Sequence, residues 1–271
     1  MKTKIFPLSA LFWALAATAL RTICLLTQYD PALGYLQRGA LPIVATVITA
    51  VGALFCFFCG FAFPRTRSDN DALPSVAKQR SWAILYTLSA AACFFGGVYL
   101  LTDPSGDSLL FYKATGILAL LLTIFFLIGC SGDLTKSAST SAAILLWLPF
   151  AGILMLLLLA GFAYFDQTVT INGPLTVPTI FAALFGCIFL LTEVRTRAAK
   201  HSTAMQTGLT FIAFFLCTTV GISNLVYCLI GDTARGISIS QPARPILLLA
   251  ISFAAAARLF CSTSSTDTEE I

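Results

Sequence analysis

The sequence predicts an all-α, polytopic transmembrane helix bundle of about eight spans, and three observations predict it. Charge is scarce: 10% of the 271 residues are charged and 58% are hydrophobic, with mean hydropathy +0.90. A soluble domain carries about 25% charged residues, so a chain this apolar cannot cover itself against water. The apolar residues also come in continuous runs of the length that crosses a bilayer as a helix, roughly 20 residues. A barrel strand would instead alternate over about 10 residues. Finally, the basic residues between the runs fall unevenly on alternate sides, as the positive-inside rule requires.

The runs cover 5–27, 40–63, 82–101, 112–130, 141–164, 174–193, 208–230 and 244–261. The first, "MKTKIFPLSALFWALAATA", has a basic start, an apolar centre and Ala17-Thr18-Ala19, which reads as a signal-peptidase site. The run continues past Arg21 to Leu26, however, and is long enough to span, which favours a retained first helix. Its end, "TALRTICLLTQYDPALGY", places Arg21 inside the hydrophobic segment and Asp30 just beyond it.

Runs two and three carry small residues every fourth position, Gly52-Cys56-Gly60 and Ser89-Cys93-Gly97, a spacing that lets helix backbones approach closely. Run five, "LLWLPFAGILMLLLLAGF", is uniformly large and is expected at the lipid-facing periphery. Run seven contains "CTTVGISN", with Asn224 at the depth of Arg21 and Cys217, Gly221 and Cys228 on the face of Asn224.

With the N-terminus cytoplasmic, Lys2, Lys4, Arg65, Arg67, Lys78, Arg80, Lys136, Arg195, Arg197, Lys200 and Arg258 fall inside, against Arg38, Lys113, Arg235 and Arg244 outside. Tyrosine agrees: Tyr29, Tyr35, Tyr99, Tyr112, Tyr164 and Tyr227 lie near predicted outer ends, where a phenol sits at the headgroups, and Tyr86 alone lies near an inner end. The expectation is a multi-pass protein of the plasma membrane with both termini cytoplasmic. Residues 1–271 form a single membrane domain, with 263–271, polar and acidic, reading as a disordered tail.

Some spacings recur between residues 1–135 and 136–262. Trp13, Asp30 and Pro42 are echoed by Trp147, Asp166 and Pro178, and Arg65-Thr66-Arg67 by Arg195-Thr196-Arg197. These echoes suggest two similar four-helix halves, inserted in parallel as in some transporters. Convergent turn and rim composition gives the same echoes.

Chemistry is sparse. The nine cysteines all lie in or beside apolar runs and read as small buried residues. "CFFC" at Cys56–Cys59 falls near the cytoplasmic end, with no relay pair on an outer loop, which argues against a redox role. The lone histidine, His201, sits in a link, so no metal site and no cofactor are expected, and no basic cluster points to nucleic acid. No catalytic residue is assigned. Asp30, Asp103, Asp107, Asp166 and Asp232 all fall on the outer side, mostly in contexts typical of turns and helix caps.

Arg21 has two readings. It lies six residues, about 9 Å, below the outer end of its helix. From there it either reaches the headgroups on its long stem or turns inward to pair. Its helical neighbours Ala14, Ala17, Thr18 and Gln28 are small or polar, interrupted by Leu25, whereas Phe12, Ile23 and Leu26 lie opposite, so the residue should face other helices, with snorkelling still the leading reading for its charge. Asn224 reads as interhelical glue or, with Arg21 and Ser223, as part of a polar pocket under the outer surface. Asp30 is the nearest acid to Arg21, although "DPALG" also reads as a turn.

The candidate ligand-binding residues are therefore Arg21, Asp30, Ser223 and Asn224. The leading functional reading is a small-solute permease or ligand-binding membrane protein. The alternative is a non-transporting subunit, sensor or assembly factor whose partners are the bilayer and other membrane subunits. A third reading is an intramembrane enzyme using the outer aspartates.

Overall fold

A computed structural model describes residues 2–30, 34–62, 76–102, 109–130, 141–165, 173–197, 204–231 and 242–261. Eight long helices account for nearly all of them: α1 Lys2–Gln28, α2 Ala40–Ala62, α3 Val76–Thr102, α4 Leu109–Cys130, α5 Ser141–Phe165, α6 Thr176–Arg197, α7 Ala204–Val226 and α8 Ala243–Cys261. Each predicted run lies on one of them. Each helix holds a segment long and apolar enough to cross a membrane, and the protein is a multi-pass integral membrane protein.

The exterior supports that reading independently. Phe12, Ile43, Leu54, Phe58, Phe95, Leu110 and Trp147 point outward and are more than half exposed. Such a surface is stable against acyl chains and not against water.

Six helices close a ring. α7 packs on α8, α8 on α3, α3 on α4, α4 on α5, α5 on α6 and α6 back on α7. Phe125, Phe126, Met155, Leu156, Phe189 and Leu190 are fully buried in the core so formed. The α1–α2 hairpin packs against α7 from outside this ring. Each sequence half contributes to the ring: α3 and α4 come from the first, α5 to α8 from the second.

The small-residue stripes mark two close crossings. Gly60 of α2 meets Gly208 of α7 so closely that a Cβ at position 60 would lie 2.1 Å from the Gly208 nitrogen. Gly97 of α3 meets Gly116 of α4, where a Cβ at 116 would fall 2.9 Å from the Gly97 carbonyl oxygen. Without a hydrophobic drive between helices in lipid, such backbone approach is what gives association its dispersion energy.

α7 is the most enclosed span and α2 the least, so the most peripheral helix is α2 rather than the uniformly apolar α5. Chain connectivity explains why. α5 is held on both sides by α4 and α6, whereas among the described helices α2 packs mainly on α1 and α7. A helix's place in a membrane bundle follows from its neighbours as much as from its composition.

Candidate functional site

The site forms at the end of the bundle away from the chain termini, where α1 finishes. Helical periodicity puts Arg21 on the stripe Ala10, Ala14, Ala17, Arg21, Cys24, and the first three of these are 0% exposed. The opposite stripe, Leu8, Phe12, Leu15 and Ile23, is exposed. Arg21 therefore faces α7, and the snorkelling reading does not describe it.

Its guanidinium is held by three oxygens. Nε donates to Ser223 Oγ at 2.9 Å, and Nη2 donates to the Pro174 carbonyl at 2.6 Å and to Asn224 Oδ1 at 3.1 Å. The acceptors are themselves oriented. The Ser223 hydroxyl donates to the Thr219 carbonyl at 2.7 Å, which leaves its lone pairs for Arg21. Asn224 Nδ2 donates to Thr179 Oγ1 at 3.0 Å, and the Thr179 hydroxyl is anchored on the Leu175 carbonyl at 2.6 Å. These bonds orient the acceptors before any ligand arrives, so the cradle is preorganised.

Just past Asn224, α7 widens into a π-helical turn, Tyr227–Gly231. Such turns interrupt the regular hydrogen-bond ladder and recur at functional sites. Tyr227 meets Tyr29 edge-on, with ring centroids 5.4 Å apart, and the two join buried Leu25 and partly buried Leu26, Leu36 and Leu175 in a small apolar cluster. Beneath the cradle Ala17, Cys217 and Val220 are fully buried. Gly221 has no room for a side chain, since its Cβ would lie 2.9 Å from Leu249.

Three of the four candidate residues thus come together. Asp30 does not join them. It sits in a two-residue β-ladder in which β1 (Tyr29–Asp30) pairs antiparallel with β2 (Tyr35–Leu36). The Asp30 carbonyl accepts from Gly34 N at 2.8 Å, and Gly34 takes φ 70, a left-handed conformation that costs a glycine little. This is the turn chemistry of "DPALG", and Asp30 is no partner of Arg21. Asp103, Asp107, Asp166, Asp232 and His201 lie outside the described residues.

The cradle is neutral. It offers a hydroxyl, an amide and a carbonyl, and no carboxylate. Nη1, with two N–H groups, has no partner among the described residues, and Arg21 is partly exposed. Among the described residues, therefore, no acid compensates this positive charge within a membrane-spanning segment.

The other end of the bundle shows how differently this chain treats a second arginine. Arg258 of α8 forms a two-pronged pair with Glu193 of α6, Nε to Oε1 at 2.5 Å and Nη2 to Oε2 at 2.6 Å, the geometry in which a guanidinium and a carboxylate match best. Trp82 of α3 lies under it, ring centroid 5.1 Å from the guanidinium carbon, and stacks in turn on fully buried Tyr86. Sequence reading placed Arg258 on the inner rim and gave Glu193 no role. The signal available was an acid and a base at similar depth in two spans that end on the same side.

Among the described residues, no three of His, Cys, Asp and Glu come together as a metal site, and the cysteines are free thiols. No family model, curated protein or solved structure matches the chain. What fold and site define is a class, a multi-pass membrane protein with an arginine whose described partners, a hydroxyl, an amide and a backbone carbonyl, are all neutral.

Proposed function

We propose that this protein binds an anionic ligand at Arg21, on the side of the membrane opposite its termini, with Ser223 and Asn224 orienting the guanidinium. One observation carries the reading: every acceptor that holds Arg21 is neutral, and Nη1 is left open. A charge at this depth in a membrane-spanning segment calls for a counterion, because holding an unpaired ion in hydrocarbon is costly. The distribution of basic residues supports placing this end on the outer side of the membrane.

Binding fits the packing better than transport. Ala17, Cys217 and Val220 are buried below the cradle, so translocation along this path would require the α1–α2 hairpin to part from α7.

The test is thermal stability in a neutral detergent. A ligand that binds only the folded state raises the melting temperature in proportion to RT ln(1 + [L]/Kd). Inorganic phosphate and micelles doped with phosphatidylglycerol are each titrated against wild type and Arg21→Gln at constant ionic strength. At least one anion is expected to stabilise wild type and not the variant. Equal shifts in both proteins, with both anions, would remove the basis of the proposal.

A further inference from the structure

Resting on the reading of Arg21 as an anion site, we infer that the anion is the phosphate headgroup of a membrane amphiphile rather than a solute from water. Three features point this way.

The first is depth. Arg21 lies seven residues, about 10 Å, below the end of α1, in a segment whose outer stripe is exposed. A free phosphate reaching this level sheds hydration with nothing apolar to offset the loss. A lipid phosphate brings its own chains.

The second is access. α1 and α6 both pack along α7 yet make almost no contact with each other. Arg21 spans from α1 to the Pro174 carbonyl just before α6, and among the described helices none besides α7 and α8 packs on both α1 and α6. The wall there consists of side chains, with Leu25 and Tyr29 buried and Leu26 and Leu175 partly exposed. These offer a packing surface to an acyl chain and nothing to a soluble ion.

The third is the shape of what remains of the guanidinium. Nε and both protons of Nη2 are engaged, so the two-pronged edge that clamps a carboxylate is spent. Nη1 presents two N–H groups from a single nitrogen. That arrangement suits one oxygen of a phosphodiester, which needs charge and one or two donors rather than a matched fork.

The experiment uses the full chain reconstituted in an equimolar mixture of phosphatidylcholine and phosphatidylglycerol, extracted into neutral detergent and read by native mass spectrometry. Wild type is expected to retain phosphatidylglycerol over phosphatidylcholine, with excess inorganic phosphate failing to displace it. Arg21→Gln is expected to lower that preference about tenfold, the scale of one charge-assisted hydrogen bond.

Asn224→Asp serves as a second variant. It places a carboxylate where Oδ1 now lies 3.1 Å from Nη2, neutralises Arg21 from within, and is expected to lose the lipid while keeping the arginine. If phosphate binds wild type but not Arg21→Gln, and phosphatidylglycerol is retained no better than phosphatidylcholine, the amphiphile inference fails and anion binding stands. If neither anion distinguishes wild type from the variants, both fail.

Discussion

Replacing Glu193 by alanine strands Arg258. Removing one member of a buried pair costs about 3–5 kcal/mol, because the remaining charge loses its counterion. Two features of this pair adjust that figure. The Glu193 side chain is 4% exposed, so its charge and hydrogen bonds count nearly in full. The Arg258 side chain is 29% exposed, so the orphaned guanidinium retains some solvation at the bundle end, and its contact with Trp82 survives. The expected cost of Glu193→Ala is therefore about 2–3 kcal/mol.

The double replacement Glu193→Leu with Arg258→Met removes both charges and keeps the volume. It is expected to fall within about 1 kcal/mol of wild type, since a buried pair and a well-packed apolar pair are often near equal. Unfolding is followed by circular dichroism as sodium dodecyl sulfate is titrated into dodecyl maltoside micelles. If the single replacement costs no more than the double one, the pair is not compensating a buried charge and the reasoning is wrong.

The crossing of α2 and α7 gives a sharper steric expectation. Gly60→Ala places a methyl 2.1 Å from the Gly208 backbone nitrogen and should destabilise by about 1–3 kcal/mol, whereas Gly161→Ala, with nothing within 4 Å, should be neutral or slightly favourable in the same titration. Equal effects at the two sites would contradict the packing described. For orientation, green fluorescent protein fused after Ile271 should fluoresce and alkaline phosphatase at the same point should stay inactive. The reverse pattern would invert the topology and move Arg21 to the cytoplasmic side.

Much of this architecture is legible in the chain alone, because in a bilayer each span must satisfy its own backbone. A continuous apolar run has one stable form there, a helix, so eight runs give eight helices with errors only at the ends. The same logic makes the inward face of α1 readable, since small and polar residues gather on the side that must meet other helices. It also makes the α2 and α3 glycine stripes readable as contact faces, and Asp30 readable as part of a turn.

Partners are another matter, because hydrophobicity is silent about which helix meets which when lipid and leucine are equally apolar. Nothing in the run 141–164 says that α5 is held between α4 and α6 while α2 is left at the edge. Nor does any spacing say that Gly60 meets Gly208, or that Glu193 reaches Arg258 across 65 residues of chain. Eight spans, their faces and a charge set inside the first follow from the order of residues alone. Only the tertiary structure decided that this charge is met by Ser223, Asn224 and a backbone carbonyl with no acid among them, because compensation of a charge depends on distance in space, which the order of residues does not contain.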